Sequence, residues 1–413
     1  MIQLFLKNGY EIVENTEKAD IYVVNTCTVT NMSDRKSRQM LRRVKQQNEK
    51  AIIVACGCYV QVAKDDIEKI DDIDLILGNN EKKNIVKYVE QFIENSNEEV
   101  ELEDLLYEKE FLDFGNVTYS EKTRAVIKIQ DGCDRFCSYC IIPYARGRVR
   151  SRKKENILSE INQVADNGIK EIVITGIHIA SYGKDFNENY KLIDLLEDIN
   201  KIEKIKRIRL GSLEPLIITE EFVNRLKKLD KICHHFHLSL QSGCNETLKR
   251  MNRRYTTDDF RKIVKILREN YNDVNLTTDI IVGFPGETDE EFNITYEFLK
   301  EIKFYKMHVF KYSPRKGTKA AVMKNQIDGK IKENRSRKLI ELSNENIKEY
   351  NGKYVGKTLE VLFEEKKEGY YVGHTGNYIF TKCIADIDLE NKIINVRADS
   401  VDKEELLVSL EAM

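Results

Sequence analysis

Three cysteines on one short loop are the residues best suited to chemistry. Cys133, Cys137 and Cys140 follow an apolar strand with the spacing C-x3-C-x2-C. Three thiolates at this spacing can hold three corners of a [4Fe–4S] cluster and leave the fourth iron open for catalysis. A structural zinc site, the alternative, needs a fourth nearby ligand, and the next histidine along the chain, His178, lies beyond a predicted helix. The loop therefore favours an iron–sulfur cluster.

The other cysteines argue against a disulfide framework. The chain has nine cysteines in 413 residues, an odd number, and we expect no signal peptide because its start has no basic stretch followed by an apolar one. Clustered thiols in such a chain are typical of metal ligands or catalysts. Cys233, Cys244 and Cys383 have no partner at metal-binding spacing and are predicted to be buried structural thiols.

Composition excludes several classes of protein. The chain carries 67 Lys and Arg against 69 Asp and Glu, a net charge of −2, which excludes a wholly basic nucleic-acid coat but allows a local basic patch. No apolar run approaches the length of a membrane span. We expect a cytoplasmic protein that makes no use of a membrane.

Alternating helix and strand patterns predict that residues 1–95 form a parallel α/β domain. Met1–Ile12 reads as an amphipathic helix, and Ser33 is predicted to cap a basic helix that runs to about Lys50. Apolar strands are predicted at 19–25 and 51–55. The acidic, poorly patterned residues 96–123 are predicted to be a linker.

Residues 124–348 repeat the strand–helix pattern six times, which fits a partial (β/α)6 barrel better than a full eight-unit one. In such barrels, functional groups lie at the carboxyl ends of the strands. The predicted strands are 125–130, 171–175, 207–210, 236–240, 276–282 and 307–312. Residues 349–413 change to short alternating strands, at 355–363, 370–372, 378–385 and 393–398, and predict a small antiparallel β-barrel.

Two predicted strands carry polar residues on one face. A period of two puts His237, Ser239 and Gln241 on one face of the first. Thr277, Asp279, Ile281 and Gly283 share a face of the second. A charged Asp279 inside a barrel is costly unless it is paired or functional, so both strands predict a functional interior.

The cysteine loop, with Tyr139 just before its last cysteine, resembles that of the radical S-adenosylmethionine (SAM) enzymes. The resemblance implies that the open iron chelates the amino and carboxylate groups of SAM, with Tyr139 near the adenine. It also implies one-electron cleavage of SAM to a 5′-deoxyadenosyl radical.

Longer motifs resemble one family within that class, the methylthiotransferases. They are 133–152, ending IIPYARGRVRSR, then GSLEP at 211–215, LSLQSG at 238–243, KRMNRRYT at 249–256 and DIIVGFPGET at 279–288. The resemblance covers nearly the whole chain and implies that the C-terminal barrel is a TRAM domain, an RNA-binding module. SLQSGC and IPYARG are most similar to the tRNA enzymes that act on N6-threonylcarbamoyladenosine. Isopentenyladenosine tRNA is the alternative substrate, and a non-catalytic iron–sulfur RNA-binding protein is the alternative class.

The resemblance implies two [4Fe–4S] clusters and SAM as cofactors. The second cluster of the family uses three N-terminal cysteines, and the motifs around Cys27 and Cys58 match two of them. The third motif belongs to a strand before the first helix, where this sequence begins, so we expect a wrongly assigned start or a truncation. Cys56 is either a substitute ligand or a small buried residue at a strand end.

The resemblance also implies contacts and partners. The implied SAM contacts, besides Tyr139, are Gly176, Ser212, Glu214, Gln241, Asp279, Ile281 and Gly283. A helix-capping carboxylate is the alternative for Glu214. Six basic residues between Arg146 and Lys154 suggest phosphate contact or a solvated surface. The expected partners are the anticodon region of tRNA and an electron donor such as flavodoxin or ferredoxin, with the protein acting as a monomer.

Overall fold

The computed structural model describes residues 1–14, 16–70, 72–94, 100–116 and 123–411. The chain divides into two compact units. The first comprises Met1–Val117, Asp131–Arg150 and Ser313–Val322, and the second comprises Thr118–Gln130, Ser151–Tyr312 and Met323–Met413. The domain boundaries expected from sequence stay a prediction, and the predicted linker at 96–123 lies partly outside the described residues.

A parallel three-stranded sheet forms the centre of the first unit; the sequence predicts its first two strands and misses the third, Leu75–Leu77. Its strands run in the order β1-β2-β3, and the register places Asn25 opposite Cys56. The elements are α1 (Ile2–Lys7), β1 (Ile21–Thr26), α2 (Asn31–Gln47), β2 (Ile52–Gly57), α3 (Cys58–Val62), α4 (Lys64–Glu68), β3 (Leu75–Leu77) and α5 (Ile85–Ile93).

Three local predictions for this unit need correction. Helix α1 ends at Lys7 instead of Ile12. The cap of α2 is Thr30, whose side chain accepts a hydrogen bond from the backbone N–H of Ser33, so Ser33 is the donor and not the cap. Residues 100–116 contain no helix or strand, yet Leu105 is 1% exposed, so this part of the expected linker packs against the unit.

The second unit contains the six parallel strands that the alternation predicts. One sheet has the order β5-β4-β6-β7 and the other β10-β9-β8, and parallel bridges join Ile208 to Ile232 and Leu213 to Leu238 between them. The strands, with the short β5, are β4 (Arg124–Asp131), β5 (Arg150–Ser151), β6 (Glu171–Gly176), β7 (Arg207–Leu210), β8 (His235–Gln241), β9 (Asn275–Val282) and β10 (Lys306–Lys311).

Helices flank these strands, and the apolar faces of the helices are buried against the sheets. The helices are α7 (Lys154–Asp166), α8 (Leu192–Asn200), α9 (Glu220–Leu226), α10 (Asn245–Arg250), α11 (Thr257–Asn270), α12 (Asp289–Ile302) and α13 (Gly329–Gly352), with α6 (Ile142–Arg146) in the first unit. The strands alternate as predicted. Phe236 and Leu238 of β8 are fully buried in the helix-side core, whereas His235 and His237 line the interior of the barrel.

The C-terminal region forms a closed five-stranded β-barrel in the order β11-β12-β13-β15-β14. Its strands are β11 (Thr358–Lys367), β12 (Tyr370–Thr375), β13 (Phe380–Cys383), β14 (Ile393–Asp402) and β15 (Glu405–Leu410). The predicted set of strands omits β15, which closes the barrel by pairing parallel to β13. Closure leaves no free sheet edge.

A buried ionic network joins the (β/α)6 barrel to this β-barrel within the second unit. Glu171 is fully buried and accepts from Arg209 at 2.9 Å. Arg209 also donates to the backbone carbonyl of Thr375, and Arg207 donates to that of His374 at 3.0 Å. The carboxylate of Glu171 therefore organises the arginines that hold the two barrels together.

Among the residues that the structure describes, no helix is both long enough and apolar enough to cross a membrane.

Candidate active site

The cysteine loop is a tight reversal that follows β4. Gly132 has φ +70°, and a Cβ added there would lie 1.7 Å from the carbonyl oxygen of Arg148. Only glycine fits both this left-handed conformation and this close approach. Cys133 N–H donates to the carbonyl of Gly147 at 3.0 Å, and Cys140 N–H donates to that of Cys137 at 3.0 Å. The two ends of the loop are thereby tied together.

The three loop thiols have the character of cluster ligands. Cys133, Cys137 and Cys140 form no disulfide bond and are half-buried. Burial raises the pKa of Cys133 to about 11, so iron binding would have to displace its proton. Within the described residues, no three His, Cys, Asp or Glu side chains converge on a single metal ion. A cluster makes no such demand, because each thiolate binds a different iron. The donor set therefore fits an iron–sulfur cluster.

Aromatic side chains support the same loop. The guanidinium of Arg148 lies 4.8 Å from the ring centroid of Phe136, and Phe136 meets Tyr144 edge-on at 5.8 Å. Phe136 has φ +48°, an unusual backbone conformation for a bulky residue. Tyr139, the expected adenine neighbour, is half-buried in this loop. These contacts fix the path of the chain between Cys133 and Cys140.

Cys27 and Cys58 follow β1 and β2 at the same edge of the N-terminal sheet, as their positions predict. Cys27 is exposed and Cys58 is partly exposed. Cys56 instead lies fully buried in the apolar core beside Val54 and Leu77, where burial raises the pKa of its thiol. This environment supports the structural reading of Cys56 over its use as a ligand.

Two residues, Arg146 of the basic run and Asn79, which the sequence did not indicate, lie between Cys58 and the segments that flank the cysteine loop. Arg146 forms an ion pair with Asp131 at 3.2 Å. Burial opposes its charge, but Asp131 and the Cys58 and Cys27 thiols raise the pKa of Arg146 above its ordinary value. The side-chain amide of Asn79 donates to the carbonyl of Ala145 at 2.7 Å and lies 3.7 Å from the sulfur of Cys58. Sequence offers no signal for Asn79, which lies in an unpatterned turn.

The basic run between Arg146 and Lys154 is not one solvated surface. Arg150 is 2% exposed and donates to the carbonyl of Arg146. Arg152 is 4% exposed and pairs with the buried Glu160. Arg148, by contrast, keeps half of its side chain in solvent. Three of the six cations are therefore structural, and the expected phosphate contact is restricted to the others.

Arg315 anchors the segment 313–322 to the first turn of α2. Its guanidinium donates to Asn31 Oδ1 at 2.6 Å, to the hydroxyl of Thr28 and to the carboxylate of Asp34. Arg315 is 6% exposed and Asp34 is 8% exposed, so this is a buried charge pair. The contact holds the residues that follow Cys27 in place. An acidic residue in the first turn of a helix was the available sequence signal.

The expected SAM contacts lie at the carboxyl ends of strands in the second unit. Gly176 ends β6, where an added Cβ would meet the carbonyl oxygen of Gln130 at 2.8 Å. The side chain of Gln130 accepts from His178 N–H at 2.7 Å. Ser212, two residues beyond β7, is exposed. This arrangement brings the backbone of two neighbouring strand ends close together.

Glu214 is a buried, paired carboxylate and not a helix cap. It precedes the short 3-10 helix Pro215–Ile217 but makes no side-chain capping bond there. Its Oε2 accepts from Arg253 at 2.8 Å and lies 3.6 Å from His178 Nε2. Sequence alone did not indicate Arg253 or His178 as its partners, because the three residues lie far apart along the chain.

The remaining expected contacts belong to β8 and β9 and the turns that follow them. Asp279 Oδ2 lies 3.2 Å from His237 Nε2, so the charged residue in the barrel is paired. Gln241 has φ +71°, and Gly283 has φ +69° with its N–H donated to Glu287 at 2.7 Å. Ile281 is half-buried. The structure brings Asp279 and His237 into contact and leaves the others at separate strand ends.

The fold and the cysteine loop define a radical SAM protein. The model of the Radical SAM superfamily matches residues 127–299, and that of the uncharacterized protein family UPF0004 matches residues 1–78. The chain is 40% identical over 401 residues to the threonylcarbamoyladenosine tRNA methylthiotransferase MtaB of Bacillus subtilis (strain 168). This alignment covers 96% of this chain and 89% of that protein. The chain therefore belongs to the radical SAM methylthiotransferase family.

Two further relatives are named for two different modified adenosines of tRNA. The protein of the same name from Aquifex aeolicus (strain VF5) is 42% identical over 378 residues, covering 92% of this chain and 91% of that protein. The tRNA-2-methylthio-N(6)-dimethylallyladenosine synthase of Alkaliphilus oremlandii (strain OhILAs) is 37% identical over 398 residues, covering 94% and 84%.

Solved structures agree on the fold. The radical S-adenosylmethionine methyltransferase TsrM from Kitasatospora setae, with tryptophan and a SAM analogue bound, superposes with a TM-score of 0.55 at 16% identity. The match covers 71% of this chain and 62% of that chain, slightly less than two thirds. At this identity the likeness concerns the fold alone.

Proposed function

We propose that this protein transfers a methylthio group to C2 of N6-threonylcarbamoyladenosine beside the tRNA anticodon. The observation that carries the proposal is 40–42% identity, over nearly the whole chain, to two threonylcarbamoyladenosine tRNA methylthiotransferases. The cysteine loop has the donor set that this chemistry requires. The protein is a radical SAM transferase.

The chain's own residues hold and orient the reactants. Cys133, Cys137 and Cys140 would ligate a [4Fe–4S] cluster, which when bound supplies the electron that cleaves SAM. Tyr139 and the strand-end residues Gly176, Ser212, Glu214, Gln241, Asp279, Ile281 and Gly283 bind SAM. Arg253 holds the Glu214 carboxylate in one orientation through the 2.8 Å contact. No side-chain acid or base is needed for hydrogen abstraction from C2.

Cys27 and Cys58 would ligate part of a second [4Fe–4S] cluster, which when bound would supply the sulfur for transfer. Their exposure at one sheet edge supports this role. Arg146 and Asn79 place a cation and an amide donor beside the sulfur of Cys58. A second SAM molecule is the methyl donor for that sulfur.

The expected partners follow from this assignment. The substrate is tRNA, bound at its anticodon region, with the closed C-terminal β-barrel acting as a TRAM module. The electron donor is a flavodoxin or ferredoxin. The protein acts as a cytoplasmic monomer.

Isopentenyladenosine tRNA is the second candidate substrate. Dimethylallyladenosine synthases match the chain at 35–37% identity over similar lengths, so the two substrate classes differ by only a few per cent of identity. The two substrates differ in the group on N6 of the adenosine, so the choice between them depends on which group the barrel binds.

Reconstitution under anaerobic conditions tests the reaction class. With iron, sulfide, reductant and SAM, the protein is expected to form 5′-deoxyadenosine. A non-catalytic iron–sulfur RNA-binding protein would bind tRNA and form none. Absence of deoxyadenosine from protein with a fully loaded cysteine loop would contradict the proposal.

A further inference from the structure

A large cavity with both polar and apolar walls occupies the interior of the (β/α)6 barrel. Its volume is about 870 Å³, within the range of small-molecule sites. Ser212 lines it beyond the carboxyl end of β7, Asp279 lines it from the middle of β9, and His374 and Tyr378 of the C-terminal β-barrel line it elsewhere. The cavity thus continues from the strand ends, where barrel chemistry takes place, into the barrel.

Hydrogen-bonding side chains dominate the wall formed by β8, β9 and β10. His237 lies 3.2 Å from Asp279 through Nε2 and 3.0 Å from the Thr277 hydroxyl through Nδ1. His308 stands opposite Asp279 in the β9–β10 register, and its ring centroid lies 5.6 Å from that of His237. His308 is exposed to the cavity, so it can donate to an incoming group.

Two of the three carboxylates of the cavity wall are paired with lysines. Glu404 is 2.8 Å from Lys306, and Glu405 is 2.6 Å from Lys382, whereas Asp279, among the described residues, contacts only the imidazole of His237. An incoming anion therefore meets Glu404 and Glu405 already neutralised, and it is bound away from Asp279. Burial and the neighbouring His237 lower the pKa of His308, which makes it a neutral hydrogen-bond donor at physiological pH.

We propose that this cavity binds the N6 substituent of the target adenosine, a carbamoyl-linked amino acid with a carboxylate and a hydroxyl. His308 donates to the carboxylate, and His237 and Thr277 hydrogen-bond the carbamoyl group and the hydroxyl. The proposal rests on the proposed function and names what selects its substrate. N6 and C2 lie on the same edge of adenine, so a base presented at the strand ends can direct its N6 substituent into the barrel.

The same wall would reject an isopentenyl group. An apolar substituent would displace water from His308, His237 and Thr277 without replacing the hydrogen bonds. Sites built to hydrogen-bond a substrate group discriminate strongly against analogues that lack it. The cavity thereby separates the two substrate classes that overall sequence identity barely distinguishes.

Binding of anticodon stem-loop RNAs tests this inference without turnover. Fluorescence anisotropy would compare three otherwise identical RNAs that carry adenosine, N6-threonylcarbamoyladenosine or N6-isopentenyladenosine beside the anticodon. The wild-type protein is expected to prefer the threonylcarbamoyl RNA. His308→Leu should reduce that preference by about 10- to 100-fold, and His308→Gln should retain part of it, since glutamine keeps an N–H donor.

His234→Leu is the matched control. His234 immediately precedes β8, but its side chain is exposed and does not line the cavity. This variant should keep the full preference. Thermal unfolding and iron content of His308→Leu should match those of the wild type, which shows that the variant is folded and loaded.

Two outcomes would overturn the inference. If the wild type methylthiolates threonylcarbamoyladenosine while His308→Leu and Thr277→Val keep its full preference, the cavity assignment fails and the proposed function stands. If the wild-type protein binds the three RNAs with equal affinity, the cavity does not recognise the N6 substituent. The proposed function fails separately, if no methylthiolated product forms from the threonylcarbamoyl tRNA.

Discussion

At the scale of single residues, the account depends most on the loop cysteines. Cys137→Ser should abolish the iron-dependent absorbance of the loop cluster and all 5′-deoxyadenosine formation, because a hydroxyl is a poor ligand for an iron–sulfur cluster. Iron analysis and chromatography of the SAM products measure both. Cys244→Ser is the control, since Cys244 is buried away from the loop and its sulfur donates to Glu246, a bond that serine can keep. Deoxyadenosine from Cys137→Ser would refute the ligand assignment.

Arg146 allows a second test at this scale. Arg146→Ala leaves the buried Asp131 without its ion pair, which should cost about 3 kcal/mol in the free energy of unfolding. Arg148→Ala, two residues away, removes an ion pair with Asp134 in which both partners are half-exposed, and should cost at most about 1 kcal/mol. Urea unfolding of the two variants should separate them. Equal losses would show that Arg146 does not bridge Asp131 and Cys58 as described.

At the scale of elements, the reversal after β4 depends on glycine. Gly132→Ala should cost more than about 2 kcal/mol, because the added Cβ adopts a left-handed conformation and collides with the carbonyl of Arg148. Gly115→Ala has a similar φ of +75° but meets nothing within 4 Å, so it should cost only about 1 kcal/mol. Thermal unfolding and iron content check the difference. A fully loaded Gly132→Ala variant would contradict the geometry of the loop.

Elements with a strong period were predictable, and their tertiary partners were not. Alternation located β4 and β6 to β10, but not the two-residue β5, because buried parallel strands need apolar residues toward the helices. The strand β15 was missed since its parallel pairing with β13 depends on a neighbour distant in sequence. The cysteine loop was found through local spacing. Arg146, Asn79, Arg253 and Arg315 act through contacts with distant residues, which no local pattern reports.

At the scale of the whole molecule, Glu171 couples the two barrels of the second unit. Glu171 is buried, which opposes its charge, but Arg209, Arg124 and Arg207 lower its pKa below the ordinary 4.5. Its stabilising effect is therefore complete above that value and is lost as the pH falls through the lower, folded-state pKa. Glu171→Gln should lower stability by about 3 kcal/mol at neutral pH, and the difference from wild type should shrink on acidification.

An exposed ion pair provides the control for this prediction. Asp166→Asn removes the pair with Lys204, in which both side chains are about two-thirds exposed, and should change stability little at any pH. Unfolding of each variant as a function of pH gives the comparison. A constant difference between wild type and Glu171→Gln down to strongly acidic pH would contradict a titrating carboxylate at the link between the barrels.

The central claim is that the chain methylthiolates threonylcarbamoyladenosine in tRNA. Mass spectrometry of tRNA nucleosides, from cells with and without the gene for this chain, tests it most directly. The account predicts that the 2-methylthio derivative of N6-threonylcarbamoyladenosine disappears on deletion, while its unmethylthiolated precursor accumulates and the isopentenyladenosine derivatives are unchanged. Loss of the methylthio group from isopentenyladenosine instead, or no change in either nucleoside, would contradict it.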